Sequence, residues 1–179
     1  MNTTEIKDIL DSLLPKCRVN FLGVFARDLL PDFSNDISTF PKCCICNTDT
    51  SNESGKHWVA FYSESSSHLE FFDSYGLHPS FYSFDVPLTS YNNKQFQKDS
   101  SRLCGHYCIY YIYKRSSGNS LVQIQRKFNL SNMSLNDSFI SKWSKKHFKS
   151  VKPLSHLSCS NQCCKSFIDC HYTHCNCLI

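Results

Sequence analysis

The sequence predicts an α+β domain in which a helix headed by a cysteine packs on a mostly antiparallel sheet. Two observations carry this reading. The runs HWVAFY (57–62) and HLEFFD (68–73) are rich in aromatic and β-branched residues and flank the polar loop SESSS, the pattern of a hairpin. The run CGHYCIYYIYKR from residue 104 holds an apolar stripe at helical spacing, with Cys108, Tyr111 and Ile112 at i+4, i+7 and i+8 from Cys104.

The other elements follow in order. MNTTEIKDILDSLL reads as an amphipathic helix, with Ile6, Ile9, Leu10, Leu13 and Leu14 at helical spacing, Thr3 or Thr4 as its cap and Pro15 as its stop. NFLGVFARDLLPDF is apolar but interrupted by Gly23 and Pro31, which predicts a short strand or turn and then a loop. CCICNTD reads as a strand and SNESG as a loop. Residues 78–100 show little regular pattern. After the helix at Cys104, closed by 116–118, further helices are predicted over 119–129 and 136–147. Residues 1–150 therefore form one domain, and 151–179 a Cys/His-rich tail without clear periodicity.

Composition bounds the function. At 179 residues with 41% hydrophobic content, the chain suffices for one packed core. The formal net charge of +4 is too small to argue a dedicated nucleic-acid binder. No apolar run reaches membrane-spanning length, and the acidic start lacks the pattern of a secretory signal. The expectation is a soluble intracellular monomer in a reducing compartment, with free thiols rather than a disulfide framework. Of the 12 cysteines, six lie in residues 159–179 and three form the group Cys43, Cys44 and Cys46.

A hairpin centred on Ser65 would oppose His57 to Asp73, Val59 to Phe71 and Phe61 to Leu69, all six on one face. Opposed Cβ atoms lie roughly 4.5–5.5 Å apart, which suits an imidazole–carboxylate hydrogen bond. A one-residue slip would separate His57 from Asp73. If the stripe of the Cys104 helix covers this face, Cys104 arrives at its open end and meets His57.

Those residue types suit nucleophilic catalysis. A helix N-terminus and an adjacent imidazolium lower a thiol pKa by several units, His57 is then the ion-pair partner and proton donor, and Asp73 orients the ring. The Cys104 backbone N–H and an upstream amide side chain would bind an oxyanion. Taken singly, each has an ordinary reading: His57 a structural strand residue, Asp73 a turn acid, Cys104 a small core residue. Their conjunction in one geometry points to catalysis, while Cys108 reads as core.

GKHWVAFY, FFDSYG and QKDSSRLCGHYC, in that order, resemble the adenovirus maturation protease (adenain) and its relatives in Maverick/Polinton-type elements and adinto-like viruses. More distantly they resemble the SUMO/ubiquitin-like-protein proteases. FLGVFARDLLPDF and the run CCICNTD to GKHW are similar to the adenain start, and the likeness spans residues 5–148. It implies a papain-like, adenain-like fold, with His57 as base, Asp73 as orienting acid, Cys104 as nucleophile and Gln97 in the oxyanion hole. Six residues separate Gln97 from Cys104, the viral spacing, with Gln95 as the alternative. It further implies an endopeptidase acting on viral or virus-like-element precursor or capsid polypeptides, in a host nucleus, a virion or the cytoplasm. Adenain is activated by a peptide and by DNA; no residue of this chain carries that dependence over, and only the mild positive charge favours it.

Two other functions use the same residues. An isopeptidase or processing protease for a ubiquitin-like modifier would share the triad, although the glutamine spacing and adenain-like start argue against it. A non-enzymatic, zinc-stabilised interaction module would rest on Cys159, Cys163, Cys164, Cys170, His171, His174, Cys175 and Cys177. Thiolate and imidazole suit zinc, but this spacing fits no standard knuckle, so neither metal nor cofactor is assigned.

Overall fold

The computed structural model describes residues 1–14, 19–33 and 39–148; the tail from 151, with its candidate zinc ligands, and Pro15 lie outside these. The described chain runs α1 (Thr3–Leu13), β1 (Asn20–Phe25), β2 (Lys42–Asn47), β3 (Trp58–Ser65), β4 (His68–Phe72), β5 (Ser90–Tyr91), α2 (Cys104–Ser116), α3 (Leu121–Gln125) and α4 (Met133–His147). The five strands form one sheet in the order β1-β2-β3-β4-β5. β2, β3 and β4 pair antiparallel at its centre, and β1 and β5 add in parallel at the edges.

The cap of α1 is Asn2 rather than Thr3 or Thr4. The Asn2 side chain accepts from the Glu5 N–H and the Glu5 carboxylate accepts from the Asn2 N–H, a reciprocal capping box that serves two otherwise unpaired donors. The helix predicted over 119–129 shortens to α3, opened by a second capping box between Ser120 and Gln123. The helix predicted from 136 begins earlier, where the Asn132 side chain caps α4. Within 78–100, a 3-10 turn at Pro79–Tyr82 and the short β5 interrupt what the sequence presents as loop.

The hairpin register differs from the one expected. Ala60 pairs with Phe72, Phe61 with Phe71, Tyr62 with Glu70 and Ser63 with Leu69, a shift of two from the Ser65-centred pairing. The connection is a turn at Ser66 and Ser67, and Glu64 is the extra residue of a bulge between Ser63 and Ser65. An even shift preserves the face of every side chain, so Val59, Phe61, Leu69 and Phe71 still point together.

They do not point at α2. They form a cluster with Cys44 and Cys46 that Phe33 and Phe84 cover, Phe84 meeting the Phe61 ring edge-on at 5.3 Å. α2 takes the opposite face, where Ala60, Tyr62 and Phe72 join Cys43 and Ile45. Tyr111 stacks on Phe72 with centroids 4.5 Å apart and rings 6° from parallel. This face, which carries Trp58, Ala60, Tyr62, His68, Glu70 and Phe72, is mixed in polarity, and α2 brings the partners that make Glu70 tolerable there. Tyr111 donates to Glu70 Oε2 at 2.8 Å, Arg115 Nε lies 2.8 Å from the same oxygen, and the guanidinium lies over Tyr62. A buried carboxylate with such partners escapes the penalty of an unpaired charge. The sheet is therefore covered on both faces, and the end of β3 and β4 nearest Cys104 is where the polar groups gather.

Candidate active site

The site is assembled at the seam between the start of α2 and the end of the β3–β4 ladder. α2 begins at Cys104, and its N-cap, Leu103, supplies no side-chain acceptor. The first-turn N–H groups are thus left free of a side-chain cap, and the positive end of the helix dipole bears on the sulfur. Gly105 allows the close approach of neighbours here: a Cβ on it would meet Trp58 Cδ1 and Ile6 Cδ1 at 3.4 Å and Met1 Sδ at 3.1 Å.

His57 precedes β3 and Asp73 follows β4, so both lie just past the paired ladder. His57 Nε2 stands 2.6 Å from Asp73 Oδ1. The two are not an opposed strand pair: the β3–β4 ladder ends at Phe72, the chain turns from Asp73 to Gly76, and that turn stacks the Tyr75 ring on the imidazole at 4.7 Å. With Nε2 committed to Asp73, Nδ1 is the ring nitrogen left for the hydrogen bond between His57 and Cys104.

Asp73 is fully buried and held on every side. Oδ1 also accepts from the Tyr75 N–H at 3.0 Å, and Oδ2 accepts from the Leu77 N–H and the Tyr82 hydroxyl, each at 3.0 Å. Asn92, brought alongside by β5, accepts from the Asp73 N–H at 2.8 Å and donates to its carbonyl. The turn that presents these N–H groups needs Gly76, whose φ is +72° and where a Cβ would fall 2.4 Å from the Lys94 carbonyl carbon.

The electrostatics favour an ion pair. Burial drives the Cys104 thiol upward, but the hydrogen bond and charge of His57, with the N–H groups of Trp58 and Gly105, outweigh it and hold the pKa below the ordinary thiol value. Burial alone would lower His57; hydrogen bonds to Asp73 and Cys104 and the charges of both raise it to about 9. The other described cysteines behave oppositely. Cys46 is raised to about 12 by burial, and Cys43, Cys44 and Cys108 are likewise raised by burial. Cys108 donates instead to the Trp58 carbonyl, as a core residue.

Gln97 is completely buried and reaches this pair through Tyr75, whose ring stacks on His57. Its Oε1 accepts from Ser74 Oγ at 2.7 Å, and its Nε2 donates to the Ser101 carbonyl at 2.9 Å and to the Tyr75 hydroxyl at 3.3 Å. Gln95, the alternative, donates to Asp99 Oδ1 at 2.6 Å and to the Gln97 carbonyl, bracing the loop. Sequence reasoning did not single out Tyr75, Tyr82 or Asn92. The run DSYG carries a usable signal for Tyr75, since an aromatic two residues past the acid belongs to the same turn. Asn92 has no local signal because only the β4–β5 pairing delivers it.

A cleft of about 410 Å³ opens beside His57, between Tyr75, Leu77, Phe81 and Tyr82 on one side and Thr48, Asp49 and Lys56 on the other. Among the described residues no group of three His, Cys, Asp or Glu side chains is placed to hold a metal. None of the described helices is long and apolar enough to cross a membrane.

No family model and no curated protein matches the sequence. Solved structures do. The ASFV pS273R protease superposes with a TM-score of 0.58 at 16% identity, over 85% of this chain and 68% of that one. The central domain of the uncharacterized Lpg1148 protein from Legionella pneumophila superposes with a TM-score of 0.51 at 15% identity, over 85% of this chain and 98% of that one. The chain thus has the α+β, papain-like fold expected, shared with the ASFV pS273R protease, with a helix that begins at Cys104 packed against the sheet.

Proposed function

We propose that this chain is a cysteine endopeptidase with Cys104 as nucleophile, His57 as acid and base, Asp73 as orienting acid and Gln97 in the oxyanion site. One observation carries the reading: His57 Nε2 stands 2.6 Å from the buried Asp73 Oδ1 at the head of the Cys104 helix, and the contacts of His57 with Asp73 and then Cys104 raise its pKa while His57 holds the Cys104 thiol below its ordinary value. That is the arrangement of a thiolate–imidazolium pair at neutral pH.

In the proposed cycle the Cys104 thiolate attacks the peptide carbonyl carbon, and the π electrons move onto oxygen. The Cys104 backbone N–H and the Gln97 region bind that oxyanion. Collapse expels the amine as His57 Nδ1 gives it a proton, leaving a thioester. A water that surrenders a proton to the now neutral imidazole hydrolyses the thioester and restores the pair. The substrates we assign are precursor or capsid polypeptides of a virus or virus-like element. The H-W, D-S-Y-G and Q-to-C-G motifs of the adenain and Maverick/Polinton branch support this, as does the fold shared with a viral protease.

The test is alkylation by iodoacetamide across pH, with peptide mapping of the modified cysteine. Cys104 reacts fast near neutral pH and slows sharply in His57→Ala, while Cys43, Cys44, Cys46 and Cys108 stay unmodified in the folded protein. Equal reaction of all thiols, with no effect of His57→Ala, would overturn the assignment. Labelling of Cys104 by a ubiquitin- or SUMO-vinylsulfone would move the substrate to a ubiquitin-like modifier.

A further inference from the structure

Tyr75 touches three of the four groups in the proposed machinery. Its N–H donates to Asp73 Oδ1 at 3.0 Å, its ring stacks on His57 at 4.7 Å, and its hydroxyl accepts from Gln97 Nε2 at 3.3 Å. The last contact bears on the oxyanion site. An amide nitrogen has two hydrogens, and those of Gln97 are directed at the Ser101 carbonyl and the Tyr75 oxygen. Gln97 itself is wholly enclosed, whereas Tyr75 is partly exposed. The hydroxyl proton of Tyr75 donates to no acceptor among the described residues.

We infer that Tyr75 is a direct donor to the oxyanion: Gln97 polarises its hydroxyl, and the hydroxyl proton, with the Cys104 backbone N–H, binds the developing negative charge. The inference rests on the endopeptidase reading and deepens it by one residue. The physical reasons are two. A hydroxyl that accepts one hydrogen bond becomes a stronger donor of its own, so the chain Gln97 N–H to Tyr75 O–H to oxyanion is cooperative. A donor aimed where charge develops also lowers the barrier without strengthening substrate binding equally. The phenol keeps its proton there, because burial and the charges of Cys104 and Asp73 raise its pKa. The ring stacked on His57 and the hydrogen bond from Gln97 fix where the phenol oxygen sits, beside the imidazole.

Two reactions of the same sulfur separate this role from a structural one. Alkylation by iodoacetamide displaces iodide at an sp³ carbon and forms no oxyanion. Acylation by p-nitrophenyl acetate passes through a tetrahedral oxyanion and releases p-nitrophenolate, which is read directly. In Tyr75→Phe the ring, its stacking and the backbone bond remain and only the hydroxyl is lost. The expected result is acylation of Cys104 slowed by about 10–100-fold, with alkylation of Cys104 within about twofold of wild type. Equal acylation by Tyr75→Phe and wild type overturns the inference. Acylation and alkylation slowed together also overturn it, since the hydroxyl would then be ordering the ion pair. Failure of the endopeptidase reading looks different: wild-type Cys104 would itself show no enhanced alkylation.

Discussion

Glu70 on β4 and Arg115 on α2 form an ion pair, 2.8 Å from Oε2 to Nε, that ties the strand leading into Asp73 to the helix headed by Cys104. Arg115 also donates to Glu64 Oε1 at 2.6 Å, and Tyr111 completes the shell around Glu70. His57, Asp73 and Cys104 come from three separate segments, so their relative placement depends on such ties between α2 and the sheet.

Removing one partner of this pair strands a buried charge. Glu70→Ala or Arg115→Met should lower unfolding stability by about 3–5 kcal/mol, and Glu70→Leu combined with Arg115→Met should recover much of the loss because no charge is left unpaired. Denaturant titrations of the two single variants and the double variant check this; single losses below about 1 kcal/mol would show that the pair is dispensable.

The pH dependence of the site follows from two displaced pKa values. Cys104 is held below the ordinary thiol value, which favours the thiolate at lower pH than a free thiol; His57 is raised to about 9, so the imidazolium persists until that pH and is lost above it. Peptide hydrolysis should plateau through neutrality and fall near pH 9. Asp73→Asn removes one cause of the raised His57 pKa and should move the falling limb to lower pH, with a drop in rate of about two orders of magnitude or more. A pH profile of Asp73→Asn that keeps its falling limb near 9 would assign that limb to another group.

The turn that presents Asp73 tolerates no side chain at residue 76. Gly76→Ala places a Cβ 2.4 Å from the Lys94 backbone at a φ of +72°, and the strain should cost about 2 kcal/mol or more. Because the Leu77 N–H and the Tyr75 N–H both hold Asp73, Cys104 alkylation should slow in the same variant. Wild-type stability together with wild-type alkylation would show that this turn does not support the site.

Much of the fold was legible because its signals are local. The hydrophobic spacing of Ile6, Ile9 and Leu10 marks α1, the alternation through Val59 and Phe61 marks β3, and the stripe from Cys104 to Ile112 marks α2. The choice of sheet face was not legible. Val59, Phe61, Leu69 and Phe71 look like the natural seat of a helix, yet loops carrying Phe33 and Phe84 cover them. Glu70 makes the other face read as mixed until Tyr111 and Arg115 arrive from 41 and 45 residues away.

The sequence by itself determined that side chains along β3 and β4 alternate with period two, so that any even register, including the observed shift of two, keeps the positions of His57 and Asp73 in the same parity. It likewise determined that Cys104 heads the helix, since the apolar stripe has one beginning. Only the tertiary structure decided that Tyr75 stacks on His57, that Asn92 clamps Asp73, and that Gln97 meets the site through Tyr75. Those contacts depend on the Ser66–Ser67 turn, the bulge at Glu64 and the docking of β5, which join residues distant in the chain. Local propensity sets what each segment is; the packing of segments against one another sets which atoms meet.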